Sequence, residues 1–197
     1  VTLLTRLDGR VTAFTGDLIC GPGKLWSLAA TQWTYNGGEG IPASIASLLD
    51  LKKREPDLLL PSHGEAMTDP ASAIGLLVDR LTRLMRHRRQ NPHFFELLEH
   101  PYERVTPHLL KSRAAHAHYY ALLSESGKAL LFDFGYDFIH GLPMGADRAS
   151  RRPWLYSIPR LKEQYGVRKI DAVLLTHYHD DHVAGCNLLA EAEGAEV

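Results

Sequence analysis

Five side chains of metal-binding types lie within six consecutive positions near the C-terminal end of the chain. They are His177, His179, Asp180, Asp181 and His182. Imidazole nitrogen and carboxylate oxygen are the donors that suit zinc and similar divalent cations. In an extended loop His177 and His179 point to one side, whereas Asp181 and His182 can face a second point nearby. A loop that only caps the next helix would explain one histidine, so the spacing predicts a metal site.

The residues around this cluster predict strands and helices that position it. The apolar run DAVLLT before the cluster predicts a buried strand, and residues 182–192 predict a helix. Binding sites in α/β folds are usually built at the carboxyl ends of strands. Upstream, AHAHYYALLSESGKALLFDFG predicts two strands joined at Ser126-Gly127, and LYSIPRLKEQYG predicts a helix. His116 and His118 share one face of the first of these strands, so we expect them to be sheet residues. This alternation predicts a layered α/β fold.

The first 90 residues predict a second group of strands and helices. VTLLTRL and VTAFTGD predict a hairpin that turns at Asp8-Gly9. A helix is expected over residues 41–54, followed by the short strand DLLLP with His63 exposed beyond its end. Asp69 and Pro70 begin a second helix, because aspartate is a good N-cap and proline suits the first helical position. We interpret its basic run, residues 80–89, as a solvated face rather than an RNA-binding patch.

Two stretches show no clear period. Residues 20–40, rich in glycine and aromatic residues, predict a long loop of the kind that is functional or mobile. Its Trp26 and Trp33 could wall a pocket for an apolar group, or pack beneath the loop. Residues 91–111 carry three prolines and predict a connection. We therefore predict units over residues 1–90 and 112–197, joined by a linker over 91–111.

Composition narrows the class of protein. The 197 residues are 45% hydrophobic and 23% charged, as in globular proteins rather than disordered segments. A net charge of -1 gives no global attraction to nucleic acids or acidic membranes. No apolar run approaches the roughly 18 residues needed to span a bilayer. Cys20 and Cys186 do not form a disulfide framework, which fits a reducing compartment, so we predict a cytoplasmic location. The chain starts at Val1 rather than Met, and a missing N-terminus would hide an export signal.

The motif HYHDDH resembles the H-x-H-x-D-H signature of the metallo-β-lactamase-fold hydrolases position by position. LLFDFG resembles the family motif whose aspartate, here Asp133, supports the metal loop from behind. FTGDLI resembles a later motif whose aspartate, here Asp17, bridges two metals. LLLPSHG resembles the last motif, whose histidine, here His63, completes the second metal site. The resemblance implies an α+β sandwich of the αββα type.

The order of these motifs differs from the family's. There, the supporting aspartate and the cluster are followed by a third histidine, the bridging aspartate and the final histidine. Here the last two motifs come first, and no residue takes the place of the third histidine. We favour the C-terminal half of one unit followed by the N-terminal half of a second in a longer tandem chain. The alternative is a circular permutation. On either interpretation the fold is incomplete or permuted, and we expect the gene to extend at both ends.

The resemblance implies a binuclear zinc site, with about two Zn²⁺ in each complete site. His177 and His179 would bind the first metal, and Asp181 and His182 the second. A zinc-bound hydroxide would attack the substrate, with Asp181 also orienting the water. A histidine rather than a glutamate at position 179 favours hydrolysis over di-iron chemistry, although mononuclear iron remains open. An ester, thioester, lactam or related small molecule is the expected substrate.

Two other functions remain open at this point. One is an RNA or phosphodiester nuclease of the same fold that uses the basic helix over residues 80–89, although we do not expect nucleic acid as a partner. The other is a non-catalytic unit that binds metal without turnover.

Overall fold

The computed structural model describes residues 2–27, 40–140, 145 and 147–197. Trp33, proposed above as a pocket wall, lies outside these residues. The chain divides into two compact units, residues 1–92 and 93–197. Each unit has its own sheet and its own helices. The elements in chain order are β1 (Leu3–Leu7), β2 (Arg10–Gly16), α1 (Gly40–Lys53), β3 (Leu58–Pro61), α2 (Pro70–His87), α3 (Phe94–Glu99), β4 (Tyr102–Thr106), β5 (Leu109–Ser112), β6 (Tyr120–Leu123), β7 (Lys128–Phe132), α4 (Asp147–Tyr165), β8 (Lys169–Leu174), α5 (Asp180–Val183) and α6 (Cys186–Glu193).

The N-terminal unit contains a three-stranded sheet in the order β1-β2-β3. The predicted hairpin is confirmed: β1 and β2 pair antiparallel, and the turn residues Asp8 and Gly9 have φ values of 47° and 81°. Two consecutive positive φ values are the requirement of a type I′ turn, which Asp-Gly meets at low cost. β2 pairs in parallel with β3, with α1 in the connection between them. The carboxyl ends of β2 and β3 therefore lie side by side.

Two helices complete the N-terminal unit. α2 begins as predicted, since the Asp69 side chain accepts a hydrogen bond from the Ser72 N–H and Pro70 follows at the first position. α1 and α2 pack against each other. Both helices bury apolar residues at helical spacing, as the sequence predicted. In α1 these include Ile41, Ile45, Leu48 and Leu51, and in α2 they include Ile74, Leu77, Leu81 and Met85.

The C-terminal unit contains a five-stranded sheet in the order β4-β5-β6-β7-β8. Its strands pair antiparallel except for β7 and β8, which run parallel. One face of the sheet is buried, and Leu110, Ala121, Leu131 and Val173 form a buried row across four neighbouring strands. Ile158 and Leu161 of α4 and Leu189 of α6 join the same core. Helices on this face and a parallel pair at one edge confirm the α/β class.

The structure corrects three details of the expected elements. Residues 91–111 are not a linker, because most of them form α3, β4 and the start of β5. His116 and His118 precede β6 and are exposed, so they are not strand residues. The helix expected over 182–192 is divided into α5 and α6, because Gly185 packs against Phe134 between them.

Two smaller features concern the end of the chain and the membrane. Glu196 forms an isolated parallel bridge with Ala172 of β8. Within the described ranges, no helix combines the length and the apolarity that a membrane span needs. Whether the motif order reflects a tandem or a permuted chain stays a prediction.

Candidate functional site

The C-terminal cluster lies where the parallel strands β7 and β8 end. Asp133 directly follows β7, and the segment 175–182 follows β8. The Asp133 N–H donates to the carbonyl of Leu174, at a distance of 2.9 Å, which extends the pairing of the two strands by one bond. Adjacent carboxyl ends of this kind bring side chains from distant parts of the sequence to one place.

Asp133 is buried and fully engaged in hydrogen bonds. Its side chain is 4% exposed, and its backbone adopts a left-handed φ of 64°. The carboxylate accepts from the Thr176 N–H at 2.7 Å, from the Thr176 hydroxyl, and from Nδ1 of His182 at 2.9 Å. Burial raises the pKa of Asp133, but the bonds from Thr176 and His182 outweigh it and hold this pKa below its usual value. Asp133 is therefore ionised at neutral pH.

The charge of Asp133 fixes the tautomer of His182. An ionised carboxylate can only accept hydrogen bonds, so Nδ1 of His182 carries the proton. Nε2 is then left with a free lone pair, and it lies 3.9 Å from Oδ2 of Asp181. A carboxylate that holds one nitrogen of an imidazole while the other faces a cation is the usual support of a metal-binding histidine.

His177 and His179 present their ring nitrogens to each other. Nε2 of His177 lies 2.7 Å from Nδ1 of His179, and both residues are exposed. The ring centroids of His177 and His182 are 5.2 Å apart. Two imidazole nitrogens on one tetrahedral zinc would lie about 3.3 Å apart, given Zn–N bonds of roughly 2.0–2.1 Å. The two nitrogens thus lie at hydrogen-bond distance, closer together than two ligands of one zinc ion would be.

Backbone contacts hold the loop after β7 against α5. The Phe134 N–H donates to the His182 carbonyl at 2.7 Å, and the Gly185 N–H donates to the Phe134 carbonyl at 2.8 Å. A Cβ at position 135 would lie 1.7 Å from the Asp181 carbonyl oxygen, so only glycine fits there. The sequence did not predict a role for Thr176, Gly135 or Gly185. Only their position within a few residues of Asp133 and of the cluster could have pointed to them.

Cys186, the cysteine of the same unit, is not placed as a metal ligand of this cluster. Cys186 is buried, with its thiol 3.8 Å from the Phe134 carbonyl. Burial, together with the negative charge of Asp133, raises the pKa of Cys186 to about 11. The thiol therefore stays protonated at neutral pH. Cys20, like Cys186, is a free thiol, as predicted.

The N-terminal unit brings Asp17 and His63 together in the same way. Asp17 directly follows β2, and His63 lies two residues beyond β3, at the ends of two parallel strands. Nε2 of His63 lies 3.7 Å from Oδ1 of Asp17, and both side chains are about half exposed. Next to them, a Cβ at Gly64 would lie 2.0 Å from the Cys20 carbonyl oxygen, so the chain after His63 packs tightly on the loop that follows Asp17.

The donors fit a divalent cation in type and in hydrogen bonding. His182 has its free nitrogen directed away from a supporting carboxylate, and His177 and His179 converge. The part of the chain that the structure describes contains no group of three or more His, Cys, Asp or Glu side chains already arranged around one metal position. Each unit thus carries part of the predicted set of ligands.

Comparison with known proteins agrees with this geometry. Residues 114–197 match the family model described as the metallo-beta-lactamase superfamily. This stretch is therefore similar to members of that superfamily. The matched segment contains Asp133 and the complete H-x-H-x-D-H motif, whereas Asp17 and His63 precede it. No curated protein and no solved structure matches the chain.

Proposed function

We propose that the chain is a metal-dependent hydrolase whose C-terminal cluster binds divalent cations. The contact between Asp133 and His182 is the observation that supports this most strongly. A buried carboxylate that fixes the tautomer of a partly exposed imidazole has a clear use in metal binding. A purely structural contact between these two side chains would not explain why the lone pair of Nε2 is left free.

The chain's own residues have distinct roles in this proposal. His177 and His179 would hold one cation, and Asp181 and His182 a second. Asp17 and His63 would bind a cation in the site to which the N-terminal unit contributes. A bound zinc ion lowers the pKa of water towards about 7 and polarises the substrate's reacting oxygen. Asp181 would orient the attacking water, because its half-exposed carboxylate can accept a hydrogen bond on the open side of the cluster.

The proposed substrate is a small molecule with an ester, thioester, lactam or related bond. The RNA-cleaving alternative depended on the basic run of α2, and two of its arginines already have partners. Arg80 donates to the carbonyl of Gly23 at 2.7 Å, and Arg83 pairs with Asp79 at 2.8 Å. These two arginines are therefore already engaged within the N-terminal unit, which weakens the argument for RNA.

The proposal is tested by metal content and turnover in the same preparation. The full chain is loaded with zinc, desalted and assayed by elemental analysis. It is then assayed with a chromogenic ester, a thioester, a lactam and a phosphodiester. His179→Ala should lose zinc and any turnover, whereas His118→Ala, an exposed histidine of the same unit, should keep both.

The outcomes separate the alternatives. Zinc binding without turnover on any substrate would indicate the non-catalytic unit. Turnover confined to the phosphodiester would favour the nuclease. A wild-type chain that retains no zinc would overturn the proposal.

A further inference from the structure

Trp26 stacks on the imidazole of His63. The ring centroids are 4.1 Å apart and the ring planes differ by 16°, so the contact is face to face. Trp26 is nevertheless 60% exposed, so its indole is not a core residue. Burial of apolar surface accounts for little of this contact, because the tryptophan stays largely exposed. The stack on His63 therefore needs another physical reason.

The other contacts of His63 leave its ring free to rotate, and the stack on Trp26 restricts this rotation. The Ser62 N–H donates to the Gly16 carbonyl at 3.0 Å, which fixes the backbone beside His63 to the end of β2. Asp17 lies on the Nε2 side of the ring. A half-exposed imidazole with these contacts can still rotate about its Cβ–Cγ bond. A flat indole on one face restricts that rotation and sets the plane of the ring.

The position of Trp26 is itself determined by α2. The Cys20 N–H donates to the Lys24 carbonyl and the Lys24 N–H to the Gly21 carbonyl, which closes a tight turn just before Trp26. The Gly23 N–H donates to the Ala73 carbonyl, and Arg80 donates to the Gly23 carbonyl. A Cβ at position 23 would lie 2.6 Å from Cγ of Leu76, so glycine allows this close approach. The turn is therefore anchored to the helix.

We propose that Trp26 is a positioning residue that holds the imidazole of His63 in the plane needed to share a cation with Asp17. Imidazole binds a metal through a lone pair that lies in the ring plane, so an error in that plane weakens the bond directly. This inference rests on the proposed metal role of Asp17 and His63. Trp26 is not itself a proposed ligand. The hydrogen bond from Arg80 to the Gly23 carbonyl supports the turn that precedes Trp26.

The test compares zinc affinity and ring environment in the full chain. Zinc affinity is measured by competition with a chromophoric chelator, and the contribution of His63 is identified with His63→Ala. Trp26→Ala should weaken the zinc affinity that depends on His63 about three- to tenfold, the range expected for the loss of one aromatic stack. Trp26→Phe should restore most of it. Leu3→Ala removes apolar bulk from another exposed side chain of the same unit and should change nothing.

A second measurement needs no metal. In zinc-free protein, the ring protons of His63 should resonate upfield because they lie over the indole, and Trp26→Ala should remove this shift. Arg80→Ala, which touches neither ring, should reduce the shift in part by releasing the turn. The shift therefore tests the stack itself, and the zinc affinity of Trp26→Ala tests its positioning role.

The outcomes distinguish the inference from its premise. If His63→Ala weakens zinc binding but Trp26→Ala does not, the positioning role is wrong and the proposed ligands stand. If His63→Ala has no effect on zinc, the metal role of the pair fails and the inference fails with it. Absence of the upfield shift in the wild-type chain would also overturn the inference.

Discussion

Replacing Asp133 by Asn should change which nitrogen of His182 is free. The amide oxygen can take the place of the carboxylate oxygen that accepts from the Thr176 N–H. The amide NH₂ then faces Nδ1 of His182, which must give up its proton and move it to Nε2. With Nε2 protonated, we expect zinc affinity to fall about ten- to hundredfold, as for other supporting carboxylates.

This exchange of tautomers is directly measurable. The ¹⁵N shifts of the His182 imidazole in zinc-free protein report which nitrogen carries the proton. Asp171→Asn is the matched control, because Asp171 is an aspartate of the same unit whose ion-pair partners are Lys128 and Lys169. If zinc affinity is unchanged in Asp133→Asn, Asp133 does not support a metal-binding histidine and only holds the backbone at Thr176.

The lowered pKa of Asp133 also predicts a dependence of stability on pH. In the unfolded chain an aspartate has a pKa of about 3.9, and in the folded protein the pKa of Asp133 lies below its usual value. The stabilisation is therefore fully present above about pH 4 and is lost as pH falls through the folded value. Urea unfolding between pH 7 and pH 3 should show a difference between wild type and Asp133→Asn that shrinks below pH 4. A difference that stays constant would contradict the assignment.

The residues of the cluster were predictable because they are adjacent in sequence. H-x-H-x-D-H places four donors in one short segment whatever surrounds them, and Asp133 followed from the resemblance of LLFDFG to a family motif. The contact between Gly135 and Asp181 was not predictable in this way. A glycine three residues after a strand suggests only a turn, and the contact of Gly135 with Asp181 depends on the pairing of β7 with β8.

The two parallel strand pairs explain why the candidate residues lie where they do. β2–β3 and β7–β8 each join strands separated by a connection that contains a helix, and each pair ends in polar side chains. The sequence predicted the strands from apolar runs and their ends from the polar residues that follow. It did not predict that β2 pairs with β3 or that β7 pairs with β8, since hydrophobic runs show burial but not pairing.

The segment 91–111 shows where sequence reasoning failed for an element. α3 has six residues, β4 five and β5 four, which is too short for a period to be visible. The three prolines in this segment lie outside those elements, at 92, 101 and 107, so they mark boundaries rather than a linker. β5 is held by pairing with β6, whose residues lie about ten positions further along the chain.

The chain as a whole consists of two units, and each has a candidate ligand set at one pair of strand ends. The boundary near residue 92 could be predicted roughly, because the residues before and after it form separate patterns. The tandem or permuted origin of the order remains a prediction, and a true start codon at Val1 with a stop after Val197 would contradict it.

If the cluster binds zinc, the folded chain should become more stable when zinc is added. A ligand at a free concentration of 100 times its dissociation constant stabilises the folded state by about 2.7 kcal/mol. For a chain of this length that corresponds to a rise in Tm of about 5–10 °C. The double variant His177→Ala/His179→Ala should lose most of this rise. His116→Ala/His118→Ala is the matched control, since it removes two exposed histidines at the same spacing from the same unit. Thermal unfolding with and without zinc would measure both, and equal loss in the two variants would mean that zinc binds to exposed histidines without selection.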